Sequence, residues 1–265
     1  MHFAKPPIVL LRGLLREQRH WGAFIADLKQ FFDDREIICL DIPGNGKRNH
    51  EKSPVTIQGM RIAISEQLND LLGPEQAIEL ISISMGGMIA LDWANAEPQR
   101  IKSVVLINSS LKQFSPFYHR LNWQTYPAII KILLIGVFNT QYKERQILRL
   151  TSNKTLHLPP HARAPFINEC VTIWSHFSLD KPVSLRNAFR QLLAAATFAV
   201  SHRPSAKILV VKSKWDYLVN SQCSEQLAKN WQLEMIEHPW AGHDLPLDDP
   251  IWLCRHISQF IDKST

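Results

Sequence analysis

The residues with the clearest chemical potential are a serine, an aspartate and a histidine that follow one another along the chain. Ser84 lies in the stretch E-L-I-S-I-S-M-G-G-M-I, where small residues interrupt an apolar run. Asp216 ends the stretch K-I-L-V-V-K-S-K-W-D, and His243 lies in H-P-W-A-G-H-D-L-P. A serine hydroxyl becomes a nucleophile when a histidine accepts its proton and a carboxylate orients that histidine. The order Ser, Asp, His therefore predicts acyl transfer through an activated serine.

The residues around Ser84 follow the pattern small-x-nucleophile-x-small. Ser82 and Gly86 are the small residues, and Gly87 follows directly. A strand that turns sharply into a helix projects the nucleophile above the edge of the sheet, and bulky neighbours two residues away would clash there. The alternative is that the serine only caps the following helix, since serine is a good N-cap residue.

Other acidic residues fit the required order less well. Asp41 precedes Ser84, and its context D-I-P-G-N-G is typical of a structural turn. The residue after the strand at 103–107 is Asn108, which is not ionisable. Three further acids lie too close to the histidine in sequence to be favoured: Asp244, Asp248 and Asp249.

Two other histidines also follow the last strand. His238 is expected at the end of that strand, and His256 inside the final helix. Gly242, by contrast, is expected to free the backbone so that His243 turns inward. His243 is therefore the preferred base.

A reaction of this kind also needs two N–H donors for the oxyanion. The N–H of Met85 follows the nucleophile directly. The second donor usually comes from the loop after an early strand, which here is Gly13-Leu14 after 8–11, so the Leu14 N–H is predicted. The alternative is that Gly13 simply ends the strand.

The elements that must position these residues alternate between short β-like runs and amphipathic helical runs. This alternation is typical of α/β proteins. From residue 114 to about 200 the alternation stops and the chain becomes helix-like. We therefore predict one core in two parts, 1–113 and 201–265, with a helical cap inserted at 114–200. Six apolar runs predict the strands: 7–11, 36–40, 77–83, 103–107, 207–211 and 233–236.

Composition narrows the class of protein. The 265 residues are 45% hydrophobic and 20% charged, with a net charge of +6. No long Lys/Arg block indicates nucleic-acid binding. No signal peptide pattern is present, and the most apolar stretch, 128–138, contains Lys131 and is shorter than the roughly 20 residues that span a bilayer. We expect a soluble cytoplasmic protein without an integral membrane segment.

Four widely spaced cysteines are expected to be buried thiols: Cys39, Cys170, Cys223 and Cys254.

Taken together, these motifs resemble the α/β-hydrolase superfamily, in particular its lidded serine hydrolases such as carboxylesterases and carrier-protein esterases. The resemblance implies a mostly parallel eight-stranded sheet flanked by helices, and a helical cap inserted after the sixth strand. It also implies acyl-enzyme catalysis without a metal or organic cofactor. The motifs that carry it are Arg12-Gly13, D-I-P-G-N-G at 41–46, S-x-S-x-G-G at 82–87, Asp216 and Gly242-His243.

Two residues depart from the family pattern. Members often have histidine before the glycine of the first loop, where this chain has Arg12, and D-x-P-G-H-G, where it has Asn45. Because the oxyanion donors are backbone groups, Arg12 is expected to change the polarity of the pocket and leave the donors in place. A serine at position 84 argues against the epoxide-hydrolase and dehalogenase branches, which use aspartate.

The leading hypothesis is a carboxylic ester hydrolase for a small or medium acyl substrate. The alternatives are a thioesterase or acyltransferase acting on acyl-CoA or an acyl carrier, and a non-catalytic small-molecule receptor. Aromatic and aliphatic residues of the cap could line an acyl pocket or pack the cap onto the core. Basic residues could receive an acidic carrier protein or be ordinary surface charge: Arg12, Arg16 and Arg19 near the mouth, and Lys143, Arg145, Arg149 and Lys154 on the cap.

Overall fold

The strands form one parallel sheet. The structure is a computed structural model that describes residues 5–136 and 138–262, the side chain of residue 133 excepted. All neighbouring strands are parallel, and their order across the sheet is β2-β1-β3-β4-β5-β6. The strands are β1 (Ile8–Leu11), β2 (Ile37–Leu40), β3 (Ile78–Ile83), β4 (Ile101–Ile107), β5 (Lys207–Ser213) and β6 (Glu234–His238).

The expectation of an eight-stranded sheet with the cap after the sixth strand was wrong. The sheet of the described residues has six strands, and the long helical insertion follows β4, the fourth of them. Each of the six strands coincides with one of the six apolar runs in the sequence. The two extra strands came from the resemblance alone, and no apolar run of the described residues supplies them.

Helices cover both faces of the sheet. Short 3₁₀ helices lie at Gln18–Trp21, Gly46–Arg48 and Trp123–Thr125. The α-helices are α1 (Phe24–Phe31), α2 (Ile57–Leu72), α3 (Met85–Ala96), α4 (Phe117–Arg120), α5 (Tyr126–Ile135), α6 (Thr140–Thr151), α7 (Lys154–His157), α8 (Pro160–Asp180), α9 (Leu185–Thr197), α10 (Gln222–Trp231), α11 (Leu245–Asp248) and α12 (Pro250–Asp262).

The core is divided by the sheet into two layers. Successive strand residues point to opposite faces, so Ile8 and Leu10 pack with α1 and α12, while Val9 and Leu11 pack with α2, α3 and α10. Helix α3 is almost entirely buried and apolar, as expected for a helix at the centre of a domain. Helix α2 ends at Gly73, which has φ 80°, as the Gly-Pro pair in the sequence predicts.

The residues between β4 and β5 form the helical segment, α4 to α9. Side-chain caps begin its helices α6 and α9, where Asn139 accepts the Tyr142 N–H at 2.8 Å and Ser184 accepts the Asn187 N–H at 3.1 Å. A separate small apolar cluster around Trp174 packs α6 against α8. Among the described helices, none combines the length and apolar composition required to cross a membrane.

Candidate active site

The parallel strands bring the predicted residues to one edge of the sheet. Ser84 follows β3, Asp216 follows β5 and His243 follows β6. The carboxyl ends of parallel strands meet at the same edge, which is where open α/β sheets bind ligands. Residues more than 100 positions apart in the chain therefore meet there.

Ser84 occupies a strained turn between β3 and α3. Its backbone has φ 57° and ψ −123°, in a region that non-glycine residues rarely adopt. The turn is fixed on both sides: the Ser84 N–H donates to Ile107 O at 2.9 Å, and Ser109 Oγ donates to Ser84 O at 2.9 Å. Strain of this kind persists only where surrounding contacts hold it, and it is concentrated at functional sites.

Close backbone contacts explain the small residues around Ser84. A Cβ on Gly86 would lie 2.4 Å from Leu11 O, so β1 excludes any side chain there. A Cβ on Gly13 would lie 2.9 Å from Ser84 Cβ and 3.3 Å from Ser84 Oγ. Ser82 is fully buried and donates its hydroxyl to Val105 O at 2.8 Å, which compensates its burial.

A third glycine, Gly87, is constrained by Ser109, which follows strand β4. A Cβ there would lie 2.6 Å from Ser109 Oγ, the hydroxyl that holds the Ser84 carbonyl. Small residues are thus required at this turn, as the sequence predicts. The groups that require them belong to the segments after the neighbouring strands.

His243 and Asp216 form a buried hydrogen-bonded pair. His243 Nδ1 lies 2.7 Å from Asp216 Oδ2. The other oxygen of Asp216 accepts the N–H groups of Leu218 and Val219, both at 2.9 Å. Because a carboxylate can only accept, a proton of the ring lies on Nδ1, and Nε2 is the acceptor nitrogen of the neutral imidazole.

The link between His243 and Ser84 is not closed by a hydrogen bond. Among the described residues, the hydrogen bonds that fix the Ser84 turn involve its main-chain atoms, and none joins its Oγ to His243. In enzymes without substrate such contacts are often long and shorten in the complex. The structure therefore joins His243 to Asp216, and the catalytic roles of Ser84, Asp216 and His243 stay predictions.

Two backbone N–H groups are available beside Ser84. Met85 begins α3, so its N–H has no partner within the helix. Leu14 follows Gly13, which contacts Ser84. The next two N–H groups of the loop have partners: Leu15 donates to Gln191 Oε1 at 3.1 Å and Arg16 donates to Gly13 O at 3.3 Å. This arrangement is compatible with the predicted oxyanion donors at Leu14 and Met85.

Arg12, the first departure from the family pattern, is paired inside the protein. Its guanidinium donates to both oxygens of Asp244, at 3.0 and 2.7 Å, and both side chains are buried. Burial raises the pKa of Asp244, but the charge and hydrogen bonds of Arg12 outweigh it, so that the pKa is lowered. Arg12 precedes Gly13, and Asp244 follows His243. One ion pair therefore joins the loop after β1 to the loop that carries His243.

Asn45, the second departure, also holds the loop after β1. Its Nδ2 donates to Arg16 O at 2.8 Å, and its Oδ1 accepts Gln191 Nε2 at 2.7 Å. Gln191 belongs to α9 and also accepts the Leu15 N–H. Leu15 has φ 59°, and these contacts hold it there. The loop is thereby attached to the helical segment.

The same loop makes a second contact with the helical segment through Arg16. Arg16 donates to Glu144 Oε2 at 2.9 Å and lies over the ring of Trp174, with its Cζ 4.3 Å from the centroid. Ser178 donates to the other oxygen of Glu144 at 2.7 Å. Burial raises the pKa of Glu144, but the nearby cations and these donors together lower it.

Asn108 lies where a catalytic acid would stand if it were ionisable. Its Nδ2 donates to His243 O at 2.9 Å, and its Oδ1 accepts the Ser213 N–H at 2.8 Å. Asn108 thus connects the ends of β4 and β5 to the loop of the base. Sequence reasoning rejected it as an acid and missed this role, although its place directly after β4 was the available signal.

The helical segment also contacts the loop that carries His243 and holds it in place. Asn153 Nδ2 donates to Trp215 O and to Trp240 O, both at 3.1 Å. The buried carboxylate of Asp248 accepts Ser152 Oγ at 2.5 Å and the Gly242 N–H at 2.7 Å. Burial raises the pKa of Asp248, against the effect of these donors. Sequence reasoning did not select Asn153, which looked like part of a turn.

Gly242 is required for a reason other than the one predicted. It does not have a positive φ. A Cβ at this position would instead lie 2.8 Å from Thr151 O, and Asp244, two residues later, donates its N–H to the same carbonyl at 2.7 Å. The glycine therefore permits close approach of the helical segment to the base loop.

The rejected candidates have structural partners. Asp41 accepts the N–H groups of Gln18 and Lys47, at 2.7 and 3.0 Å, as expected of a turn residue. His238 ends β6 and lies 3.2 Å from Asp249, and His256 lies in α12, as predicted.

Comparisons with known proteins agree with this architecture. Residues 6–129 match the family described as alpha/beta hydrolase fold. The human monoacylglycerol lipase ABHD6 is 23% identical over 269 residues, covering 97% of this chain and 75% of its own. The carbamate hydrolase RutD of Pseudomonas savastanoi pv. phaseolicola is 25% identical over 271 residues, with 100% and 96% covered. An esterase of Thermogutta terrifontis, solved with malate bound, shares the fold, with a TM-score of 0.72 at 19% identity over 98% of this chain and 91% of that one.

Proposed function

Since residues 6–129 match the alpha/beta hydrolase fold family, we propose that this chain is a serine hydrolase that cleaves a carboxylic ester. The observation that carries the proposal is the buried pair of His243 and Asp216, 2.7 Å apart, on the edge of the sheet that also holds Ser84. Ser84 is the nucleophile, His243 the general base and Asp216 the residue that orients the base.

The proton path follows from the hydrogen bonds. Because Nδ1 of His243 is held by Asp216, the free Nε2 accepts the proton of Ser84 as the hydroxyl attacks the ester carbonyl. The imidazolium that forms is stabilised by the adjacent carboxylate. It then donates its proton to the leaving alcohol, and an acyl-enzyme remains on Ser84.

Backbone groups stabilise the charge that develops on the substrate. The N–H groups of Leu14 and Met85 are directed to the carbonyl oxygen as it becomes an oxyanion. The same base then removes a proton from water, which attacks the acyl-enzyme and releases the acid. Removing a single oxyanion donor in such enzymes typically slows the reaction by about 10²–10³-fold.

The substrate class is a small-molecule ester with a small or medium acyl group. The helical segment, assigned to residues 114–200, acts as a cap over the carboxyl edge, and its contacts with the loops of Gly13 and His243 support this placement. The relatives named as a monoacylglycerol lipase and a carbamate hydrolase support hydrolysis at a carbonyl group.

A thioesterase or acyltransferase that acts on an acyl carrier is the second candidate, and a receptor is the third. The cations near the mouth give the carrier less support, because Arg12 and Arg16 are paired with buried acids and Arg19 with Glu17 and Asp180. A receptor would bind tightly with negligible turnover. We propose a cytoplasmic location, which the four free cysteines support, because thiols stay reduced in that compartment. Burial raises the pKa of Cys170 and Cys223 to about 11.

The experiment that tests the proposal compares wild type with Ser84→Ala on p-nitrophenyl esters of increasing chain length and on acyl-CoA thioesters. Loss of the nucleophile is expected to reduce kcat by about 10⁴-fold or more, as in other triads. Ser103→Ala is the matched control, because Ser103 is buried and its hydroxyl has no hydrogen-bond partner among the described residues.

The outcomes separate the candidates. Equal rates in wild type and Ser84→Ala would exclude Ser84 as the nucleophile. A preference for thioesters, or for an alcohol acceptor over water, would replace the esterase by the second candidate. Tight ligand binding without turnover in either protein would assign a receptor.

A further inference from the structure

Helix α5 presents apolar side chains to solvent. Ile130 is 54% exposed, Leu134 68% and Ile135 43%, and none of the described side chains of α5 is buried. Residues four apart lie on the same face of a helix, so Ile130 and Leu134 form a continuous stripe. An ordinary surface helix has the opposite arrangement, with its apolar side toward the core.

Exposed aromatic residues precede and follow this stripe along the chain. Trp123 is 59% exposed and lies in the 3₁₀ helix that packs against α5, Tyr118 is 53% exposed, and Phe138, just after α5, is 91% exposed. Single exposed apolar residues are normal, but a group of this size marks an interaction surface. We call Tyr118, Trp123, Ile130, Lys131, Leu134, Ile135 and Phe138 the α5 surface.

The exposed charges of residues 117–149, the segment that contains the α5 surface, have one sign. From residue 117 to residue 149 the sequence contains a single acid, Glu144, and that acid is buried and bound by Arg16 and Lys143. Lys131, within the surface, and Arg149, on α6, are exposed. No exposed acid in this stretch can pair with an external cation.

We propose that the α5 surface docks onto an anionic lipid bilayer, with α5 lying in the plane of the membrane interface. Tryptophan and tyrosine favour the boundary between headgroups and acyl chains, and lysine favours anionic headgroups. The ten residues of α5 extend about 15 Å, half of what is required to cross a bilayer, so the helix lies on the membrane.

A lipid surface fits these features better than a protein partner. An acidic protein would match Lys131 but would leave the exposed aliphatic and aromatic side chains without a matching apolar partner. In a symmetric dimer through this face the same patch meets itself, which would bring Lys131 near its own copy without an exposed acid of residues 117–149 to neutralise it. The inference is independent of the proposed reaction at Ser84.

The test is co-sedimentation of the full chain with vesicles of phosphatidylcholine alone and of equimolar phosphatidylcholine and phosphatidylglycerol. Wild type is expected to bind the anionic vesicles, more weakly as salt is raised. Leu134→Glu combined with Phe138→Glu is expected to reduce binding at least tenfold, and Lys131→Glu to reduce binding to the anionic vesicles. Leu71→Glu is the control, because Leu71 lies on α2 and is 60% exposed, similar to Leu134.

All of these substitutions are at exposed positions, so thermal unfolding is expected to be unchanged and reduced binding reports the surface itself. Absence of wild-type binding to both kinds of vesicle, or equal loss in the Leu71→Glu control, would overturn the proposal. Self-association that disappears in the double variant, without vesicle binding, would assign the α5 surface to a second copy of the chain. Because none of these readouts measures hydrolysis, a failure here leaves the test of Ser84 unaffected.

Discussion

The buried pair of Arg12 and Asp244 shows how a single residue type changes the construction of the site. Arg12 is not free to meet a ligand, because Asp244 accepts both of its terminal nitrogens and Trp21 lies beneath it, 4.9 Å from Cζ to the ring centroid. Arg12 therefore acts by holding the loop of Gly13 in place relative to the loop of His243.

Removing one partner of this ion pair is predicted to lower the free energy of unfolding more than removing both partners. Asp244→Leu leaves the Arg12 charge buried and unpaired, which we expect to lower the free energy of unfolding by about 3–5 kcal/mol. The double variant Arg12→Met with Asp244→Leu removes both charges and should recover much of that loss. The measurement is urea unfolding of the three proteins, with kcat recorded on the same samples.

The comparison with an exposed pair provides the control for this cycle. Lys5 and Asp34 form an ion pair in which both side chains are about half exposed, and pairs of this kind contribute little. Asp34→Leu should therefore change stability far less. A double variant as unstable as Asp244→Leu alone would contradict the role given to the unpaired charge.

At the scale of elements, the helical segment does more than cover the sheet. Its helices supply Glu144 and Gln191 to the loop after β1, and the stretch after α6 supplies Asn153 to the loops that carry Asp216 and His243. Each of these contacts reaches a loop that holds a predicted catalytic group. The segment therefore holds these loops in position.

Asn153→Ala is predicted to reduce kcat with little change in KM. The substitution removes one side-chain amide that bridges the carbonyls of Trp215 and Trp240, so the acid and base loops lose a common anchor. The two part-buried carbonyls left without this donor should also lower stability, by about 1 kcal/mol. Steady-state kinetics and thermal unfolding measure the two effects separately.

Asn168→Ala is a suitable control for this prediction, since Asn168 also lies in the helical segment and makes an exposed contact with Arg145. It should leave kcat and stability nearly unchanged. An Asn153→Ala protein with normal kcat but reduced stability would mean that the residue supports the fold alone and does not position the site.

On the scale of the whole molecule, the helical segment and the core meet around a buried histidine. His20 is packed against Trp174 and Phe177 of α8, with ring centroids 5.7 and 5.3 Å away. Its Nε2 lies 2.8 Å from an Arg16 nitrogen, so it must accept there, and Nδ1 lies 3.3 Å from Glu17 O. Burial, followed by the charges of Arg16 and Arg12, lowers the pKa of His20 well below 6.5.

This histidine should make stability fall on acidification. In the unfolded chain the imidazole gains a proton as the pH drops below about 6.5, while in the folded protein it stays neutral, so the unfolded state binds more protons. The contribution is thus complete above the unfolded pKa and is lost as the pH falls toward the lowered folded pKa. The slope from one such group is at most about 1.4 kcal/mol per pH unit.

His20→Gln is predicted to flatten this dependence between pH 7.5 and about 5.5, measured by urea unfolding at several pH values. Part of the slope should remain, because burial also lowers the pKa of His238. His50→Gln, at an exposed position, should leave the slope as it is in wild type. An unchanged slope in His20→Gln would mean that His20 is not neutral in the folded protein.

Much of the architecture was predictable because it depends on near neighbours in the chain. Apolar runs bounded by turn residues located the six strands, and Gly73 and Pro74 located the end of α2. The same local reasoning placed Ser84, Asp216 and His243 on loops after strands, and parallel pairing brings such loops to one edge. The catalytic roles of these residues stay predictions for the experiments above.

The sequence by itself therefore determined the order of the elements and the residue types at their carboxyl ends. Hydrophobic periodicity and turn residues encode both within a few positions of the chain. Tertiary structure alone decided which distant groups meet. Arg12 pairs with Asp244, 232 residues away, and Leu15 with Gln191, 176 residues away. No local pattern specifies such partners, because they are selected by how the helical segment packs on the sheet, where each buried polar group must find a complement. The same packing explains why position 242 requires glycine and why Asn153 bridges the carbonyls of Trp215 and Trp240.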